Sequence, residues 1–421
     1  MRFTGILVVG ALFLLLGSLA TDWANKQPYD FYRNPLFSDK SGYYIYLPFA
    51  FEYGLDGTNI PDSLQNEVGK GFAVVDGKMI TKYPIGVAYL ELPFYAPALI
   101  SNRINQFPDN PYQGEYVHFL VLAPAFYVSL GLYLLFLSLR LLDVKKWMAI
   151  AIVAFSFFGT SLYYYTIIEG LMSHSFSYAL FAAFTYVMLK GLRHKFMPIS
   201  LFWLSLIIAL ILAVRPFNLI LLPIYTITIL GLNKVPLNNL LAITRKVLPW
   251  LIPIVAVFLI PQLIYNKYAY GQLFVDTYTN ESFDFLHPNL LGMLFSPNAG
   301  LFVYSPAFLL LILVLFYKGY SQPRSAHAFL SISMLVFMYI LSSWHSWTFG
   351  CGFGIRPFIE WLPLLILPLG LHLNSNKKAW LPMLVISILI IFYNIRMAYQ
   401  WSGCWFGNEE SFSEYFRIFW T

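Results

Sequence analysis

The run Phe3–Ala20 reads FTGILVVGALFLLLGSLA, eighteen residues without one ionisable side chain. At 1.5 Å per residue a helix of that length covers about 27 Å, close to the hydrocarbon thickness of a bilayer. Arg2 precedes the run, and its Gly-Ser-Leu-Ala ending has the small residues of a signal-peptide cleavage site. Asp22-Trp23 and the chemistry-bearing segment beyond them argue instead for a retained first helix. Further apolar runs of comparable length recur along the 421 residues, of which 59% are hydrophobic and only 11% charged, against about 25% charged in soluble domains. With a mean hydropathy of +0.65, this composition excludes a soluble enzyme, a disordered chain, and a collagen-like or disulfide-dense scaffold. The expected fold is an all-α polytopic membrane protein.

Spanning helices are predicted near residues 3–20, 116–142, 147–164, 174–191, 198–213, 219–233, 247–265, 301–317, 327–343, 358–373 and 379–397. Eleven crossings put the N-terminus and C-terminus on opposite sides. On that scheme one set of short loops holds Arg2, Arg140, Lys145, Lys146, Lys190, Arg193, Lys195, Lys234, Arg245, Lys246, Lys318, Arg324, Lys377 and Lys378. These are 14 of the 26 basic residues, and they stand beside a single acid, Asp143. The Lys/Arg excess assigns those loops, and the N-terminus, to the cytoplasm. It also explains the net charge of +6 without any nucleic-acid partner. The short pair around Arg215-Pro216 reads equally as one broken helix or a shallow hairpin. Without it nine crossings remain, with the same terminal sides.

The chain is expected to form one transmembrane domain, 1–421, with a tail at 398–421 and a first external loop at 21–115. A structureless loop of that length is uncommon. Two amphipathic pieces, Ser41–Tyr53 and Pro84–Ser101, are too short or too Pro-broken to span and are predicted to lie in the membrane interface. Gly54–Lys82 between them, polar and rich in Gly and Asp, is expected to be a mobile loop. No internal repeat is visible, which counts against a transporter of inverted repeats.

Charges in or beside membrane helices are costly, so each is a functional candidate. On the outer side these are Asp39, Glu52, Lys82, Glu91, Glu169, His174, Arg215, Arg356, Glu360 and Arg396. Asp39, in Ser38-Asp39-Lys40-Ser41-Gly42-Tyr43-Tyr44, is a candidate general base, with a helix N-cap as the structural alternative. Lys82 can hold a phosphate as a point charge or anchor at the interface. Glu91 can orient Asp39 or a sugar hydroxyl, or pair with a base. The stretch Trp344-His345-Ser346-Trp347-Thr348-Phe349-Gly350-Cys351-Gly352-Phe353-Gly354-Ile355-Arg356-Pro357 combines glycines, which allow close backbone approach, with aromatic faces suited to sugar rings, Trp347 among them. Arg356 offers a planar fork for phosphate, and Glu360 one turn on is either functional or its i,i+4 ion-pair partner. Arg215 requires a phosphate or a buried carboxylate such as Glu169. His174 is either a ligand-orienting residue or a hydrogen-bonded structural one.

Cys351 and Cys404 both fall outside, where a disulfide is chemically permitted, and no C-x-x-C pair exists. There is no Walker A sequence, no GxGxxG after a strand, no H-E-x-x-H and no G-x-S-x-G. No second acid accompanies Asp39 as Asp-Asp or Asp-x-Asp. No cofactor is required, and a divalent metal is compatible but not demanded. The sequon Asn280-Glu281-Ser282 carries no weight without a eukaryotic signal.

One membrane helix, a long external loop with an Asp and two interfacial helices, then about ten more helices resembles the C-type glycosyltransferase superfamily (GT-C). Protein O-mannosyltransferases and the lipid A aminoarabinose transferase belong to it. Ser38–Pro48, Lys82-Tyr83-Pro84-Ile85-Gly86, Arg215-Pro216-Phe217-Asn218, Ser296–Pro306 and the Gly354-Ile355-Arg356 to Leu362-Pro363 stretch are similar to segments of its bacterial members, in order, over about residues 1–370. The resemblance implies a bacterial inner-membrane enzyme with a periplasmic site. It would transfer a sugar, with inversion, from a polyprenyl-phosphate donor to a lipid, glycan or protein acceptor. Asp39 would be the base; Arg356, Arg215 and Lys82 would hold the donor phosphate; Glu91, Glu169, His174, Trp347 and Glu360 would bind or orient sugar and acceptor. Two departures stand out: the second acid that some members carry beside the base is absent, and no soluble domain follows the last helix. Competing readings are a flippase or transporter of lipid-linked sugars, an O-antigen ligase or polymerase, and a non-catalytic assembly subunit. Charges gathered at one face favour the enzyme over the flippase, and a long loop early in the chain disfavours the ligase.

Overall fold

A computed structural model of the chain describes residues 3–26, 34–105, 110–278, 281–350, 352–401, 412, 413 and 415. Among these, six helices are long and apolar enough to cross a membrane: Phe3–Lys26, Glu115–Leu141, Ser173–Arg193, Asn239–Tyr270, Arg356–Ser375 and Lys377–Gln400. Five shorter apolar helices accompany them, Lys146–Phe158, Pro198–Val214, Pro216–Leu232, Pro306–Ser321 and Ala326–Ser342. The only strands among the described residues form one antiparallel hairpin, Ala73–Val75 with Lys78–Ile80. This is the build of an all-α membrane protein, in which each helix satisfies its own backbone hydrogen bonds.

The helices differ in what they show to the surroundings. From Leu362 to Gly370 every side chain is buried, and Ser173–Arg193 is buried over most of its length. Segments that are apolar all round belong inside such a bundle. Phe3–Lys26, Asn239–Tyr270 and Lys377–Gln400 instead expose large apolar side chains, among them Leu14, Val257, Ile264, Leu389 and Phe392. An apolar surface of that extent is stable only against an apolar surrounding. In the interior, Phe181 stacks on Tyr225 with ring centres 4.6 Å apart, and Trp361 meets Phe337 at 4.9 Å.

At Arg215 the chain is broken, and the reason is local. Pro216 disfavours helical geometry in the residue before it, and Arg215 is extended (φ −150°, ψ 101°) between the helix Pro198–Val214 and a 3-10 turn Pro216–Ile220. The helix Leu221–Leu232 follows. A guanidinium thus sits at a bend between two apolar helices.

The segment after the first helix departs most from expectation. The Ser41–Tyr53 piece is two short helices, Asp39–Tyr44 and Tyr46–Phe51, and the second piece is one helix, Gly86–Asn105, with Pro93 and Pro97 inside. Gly54–Lys82, expected to be a mobile loop, folds into the turn Gly57–Asn59, the helix Leu64–Glu67 and the hairpin. Ile60, Leu64, Val68, Phe72 and Met79 are all buried there. Their spacing is close to a helical period, but Gly69, Gly71 and Gly77 interrupt the stretch and only Leu64–Glu67 is helical, so a polar, glycine-rich composition masked a small core. Rings of Tyr44, Tyr95, Tyr112 and Tyr116 pack together, and Glu52 accepts hydrogen bonds from the hydroxyls of Tyr95 and Tyr116.

Two glycines set the closest approaches. A Cβ on Gly42 would lie 2.2 Å from the Tyr83 ring and 2.3 Å from the Gly71 carbonyl oxygen. A Cβ on Gly86 would lie 2.1 Å from the Ala213 carbonyl carbon. Gly42 therefore lets Tyr83 lie against the helix that begins at Asp39, and Gly86 brings Lys82–Pro84 beside the bend at Arg215. Gly42→Ala and Gly86→Ala should each cost about 1–3 kcal/mol by overpacking. Gly10→Ala, with nothing within 4 Å of the added atom, should not lower stability. Thermal unfolding of the three variants in detergent checks this, and equal midpoints would contradict the packing argument.

Candidate functional site

Asp39 opens the helix Asp39–Tyr44. Ser38 before it takes φ 60°, unusual for a residue with a side chain. It is held there by its own N–H on Val68 O (2.8 Å) and by Ser41, whose N–H and hydroxyl donate to the Ser38 carbonyl. Strained backbone of this kind persists where its surroundings over-determine it. The Asp39 side chain does not cap the helix. Its Oδ2 accepts from Arg356 Nη2 at 2.9 Å and its Oδ1 from the Tyr83 hydroxyl at 2.6 Å. Burial pushes the carboxyl up, but the Arg356 and Lys82 cations and the Tyr83 hydrogen bond outweigh it and hold it below its ordinary value. Asp39 is therefore a carboxylate at neutral pH. Its depressed value stabilises the fold above the ordinary carboxylate range, a contribution lost as pH falls through the lowered one.

Arg356 and Glu360 do not form the expected i,i+4 pair. Arg356–Trp361 is a 3-10 turn, with three residues per turn rather than 3.6, so i and i+4 do not stack. Arg356 turns to Asp39, and Glu360 turns to the pair His174 and Arg215. Glu360 Oε1 lies 3.0 Å from His174 Nδ1 and 3.6 Å from Arg215 Nε. Arg215 Nη1 reaches His174 Nε2 at 2.8 Å and Ser173 Oγ at 3.3 Å. Since the guanidinium can only donate, His174 accepts at Nε2 and donates Nδ1–H to Glu360, the neutral tautomer. The carboxylate partner of Arg215 is thus Glu360, not Glu169. Glu169 instead takes Lys40, whose side chain is buried.

Lys82 pairs with Glu281 at 2.5 Å and lies 5.0 Å from the centre of the Tyr278 ring. The Tyr278 hydroxyl feels the charges of Arg215, Asp39, Glu281 and Arg356 together. Tyr43, one turn beyond Asp39, joins the two networks through a 3.1 Å hydrogen bond to Ser173. Two layers result. Glu360 and His174 are sealed, with side chains 2% exposed. Arg356, Arg215, Asp39 and Lys82 are 20%, 21%, 28% and 38% exposed, so these ions are partly open to the surroundings. An ionised carboxylate beside two cations, Arg356 and Lys82, can take a proton while its neighbours hold a phosphate.

Two predicted residues are not brought into this cluster. Glu91 is fully buried on its helix, near Tyr44, Tyr112 and Tyr127, and neither of its oxygens has a hydrogen-bond partner among the described residues. Trp347 is half-buried against the apolar core. Its place in the glycine-rich stretch suggested a sugar platform, but among the described residues no hydrogen bond or ring contact ties it to Asp39. Cys351 and Cys404 lie outside the described residues. Among the described residues no three His, Cys, Asp or Glu side chains gather into a metal-holding set. Sequence reading missed Tyr83, Lys40, Tyr43, Ser173, Tyr278 and Glu281. Tyr83 and Lys40 stood beside selected residues, whereas Tyr278 and Glu281 carried no local signal.

The sequence matches no protein-family model and no curated protein, so the site is read from its own geometry.

The two layers predict different costs. Glu360→Ala leaves Arg215 and His174 without their buried acceptor and should destabilise by about 3–5 kcal/mol. Lys82→Ala removes a half-exposed pair and should cost about 0–1 kcal/mol. Unfolding midpoints in detergent test the order, and a Lys82→Ala loss as large as that of Glu360→Ala would refute the layering.

Proposed function

We propose that the chain is a bacterial inner-membrane glycosyltransferase, moving a sugar with inversion from a polyprenyl-phosphate donor to an acceptor hydroxyl at the periplasmic face. The observation that carries this reading is the Asp39 carboxylate, bonded to Arg356 and near Lys82, with Arg215 sharing its neighbours Tyr43 and Tyr278, as a partly exposed charge cluster in an apolar helical bundle. A lipid-linked donor suits such a place, because its chain needs hydrocarbon while its phosphate needs cations. On this reading the five shorter helices also cross, giving eleven crossings with the N-terminus cytoplasmic, and Asp39–Phe51 and Gly86–Asn105 lie at the interface.

The reaction is a single displacement. The acceptor hydroxyl gives its proton to Asp39 as its oxygen bonds to the anomeric carbon. The bond from that carbon to the phosphate oxygen breaks on the opposite face, and polyprenyl phosphate leaves with the electron pair. Arg356, Arg215 and Lys82 are stronger partners for the departing phosphate monoester, which gains a second negative charge, than for the singly charged diester of the donor, and that is the differential stabilisation that speeds the step. The acceptor (lipid, glycan or protein) is chosen outside these residues.

Protein reconstituted in lipid, given a panel of radiolabelled polyprenyl-phosphate sugars and membrane acceptors, should transfer one of them. Asp39→Asn should lower that rate about 100- to 10,000-fold while retaining donor binding, and Arg356→Ala should weaken donor binding. Undiminished transfer by Asp39→Asn would remove Asp39 as the base. Movement of the lipid-linked sugar across the bilayer without transfer would replace the enzyme by a flippase.

A further inference from the structure

Both oxygens of the Asp39 carboxylate are already occupied, one by Arg356 at 2.9 Å and one by Tyr83 at 2.6 Å. Each oxygen keeps a second lone pair, but a carboxylate bonded to a cation is a weak base, so a proton is taken more readily once one of the two partners lets go. They are not equally able to do so. Tyr83 is fixed on several sides: its ring lies 4.6 Å from that of Tyr43, its backbone carbonyl accepts from the Tyr46 hydroxyl at 2.6 Å, and Gly42 leaves no space behind it. Arg356 has five donors in a planar fork, one-fifth of its side chain is exposed, and a phosphate is an alternative acceptor of matching geometry.

We infer that Tyr83 is the positioning residue of Asp39, keeping Oδ1 while Arg356 transfers from Oδ2 to the donor phosphate, so that Oδ2 becomes the proton-accepting atom only when donor is bound. This rests on the transferase reading and adds to it a compulsory order, donor before acceptor. Without donor, Asp39 stays neutralised by Arg356 and is a weak base, which protects it from futile proton transfer with water. With donor in place the arginine's charge is shared with phosphate and the carboxylate becomes more basic. The other groups facing Asp39 are Lys82 beside Tyr83, Tyr43 on its own helix, Tyr165 from the Tyr164–Ile167 helix, and Tyr278. The tyrosines are neutral, and Lys82 keeps its Glu281 partner, so Arg356 is the charge whose relocation dominates.

The test is a titration of the Asp39 carboxyl by infrared difference spectroscopy, with Asp39→Asn as the blank, on full-length protein in lipid nanodiscs. A short-chain polyprenyl phosphate is the probe and the corresponding polyprenol the control, with binding of each measured separately. The carboxylate should protonate at higher pH once the lipid phosphate is bound and be unmoved by the polyprenol. Tyr83→Phe should shift the titration upward even without lipid, and lower kcat about tenfold or more with little change in donor KM. Lipid phosphate that binds without moving the titration overturns the exchange and leaves the transferase reading standing. Lipid phosphate that does not bind overturns both. A Tyr83→Phe titration identical to that of wild type removes Tyr83 from the positioning role.

Discussion

Asp39 and Arg356 are separated by 317 positions in the chain and form an ion pair at 2.9 Å. A carboxylate and a guanidinium taken largely out of water each lose several kcal/mol of hydration, which only a close opposite charge recovers. The consequence is architectural. The helix Asp39–Tyr44 belongs to the segment after the first membrane helix, and the turn Arg356–Trp361 opens the most deeply buried helix of the bundle. Lys40 with Glu169, Tyr43 with Ser173, and Lys82 with Glu281 repeat the pattern, each joining that early segment to the bundle. The early segment is thus docked by polar bonds along one edge and by tyrosine rings along the other.

Behind the exposed ions lies a sealed polar layer with a different task. His174 and Glu360 lie sealed in an otherwise apolar interior and hold Arg215, which is itself partly exposed. The neutral imidazole passes hydrogen bonds in one direction, from Arg215 through His174 to Glu360, and Tyr225 closes the layer by donating to the Glu360 carbonyl. Arg215 is held by Nη1, bonded to His174 and Ser173, with its Nε 3.6 Å from Glu360. A charge fixed in this way costs little to reorganise during a reaction, which is what gives preorganised sites their electrostatic advantage.

Backbone proximity makes both layers possible. Gly86 lies against the carbonyl of Ala213, and Gly42 lies against Tyr83 and Gly71. Any side chain at either position would separate the Lys82–Pro84 connection from Arg215 or from Asp39. The motif Lys82-Tyr83-Pro84-Ile85-Gly86 is therefore a unit, in which the glycine sets the distance at which the lysine and tyrosine operate.

What the sequence alone determined is local: where apolar runs of bilayer length form helices, where Pro216 breaks one, and that Asp39, Lys82, Arg215 and Arg356 are too costly in such surroundings to go without partners. Those properties depend on neighbours within a few positions, which a linear reading holds in full. The tertiary structure alone decided which charges meet. Arg356 faces Asp39 because its own turn is 3-10. Arg215 takes Glu360, and Glu169 is left to Lys40. Glu91 stays in the interior, and the polar stretch Gly54–Lys82 builds a small core of its own. Ion pairs are chosen by distances between residues a hundred or more positions apart, and no local pattern encodes those distances.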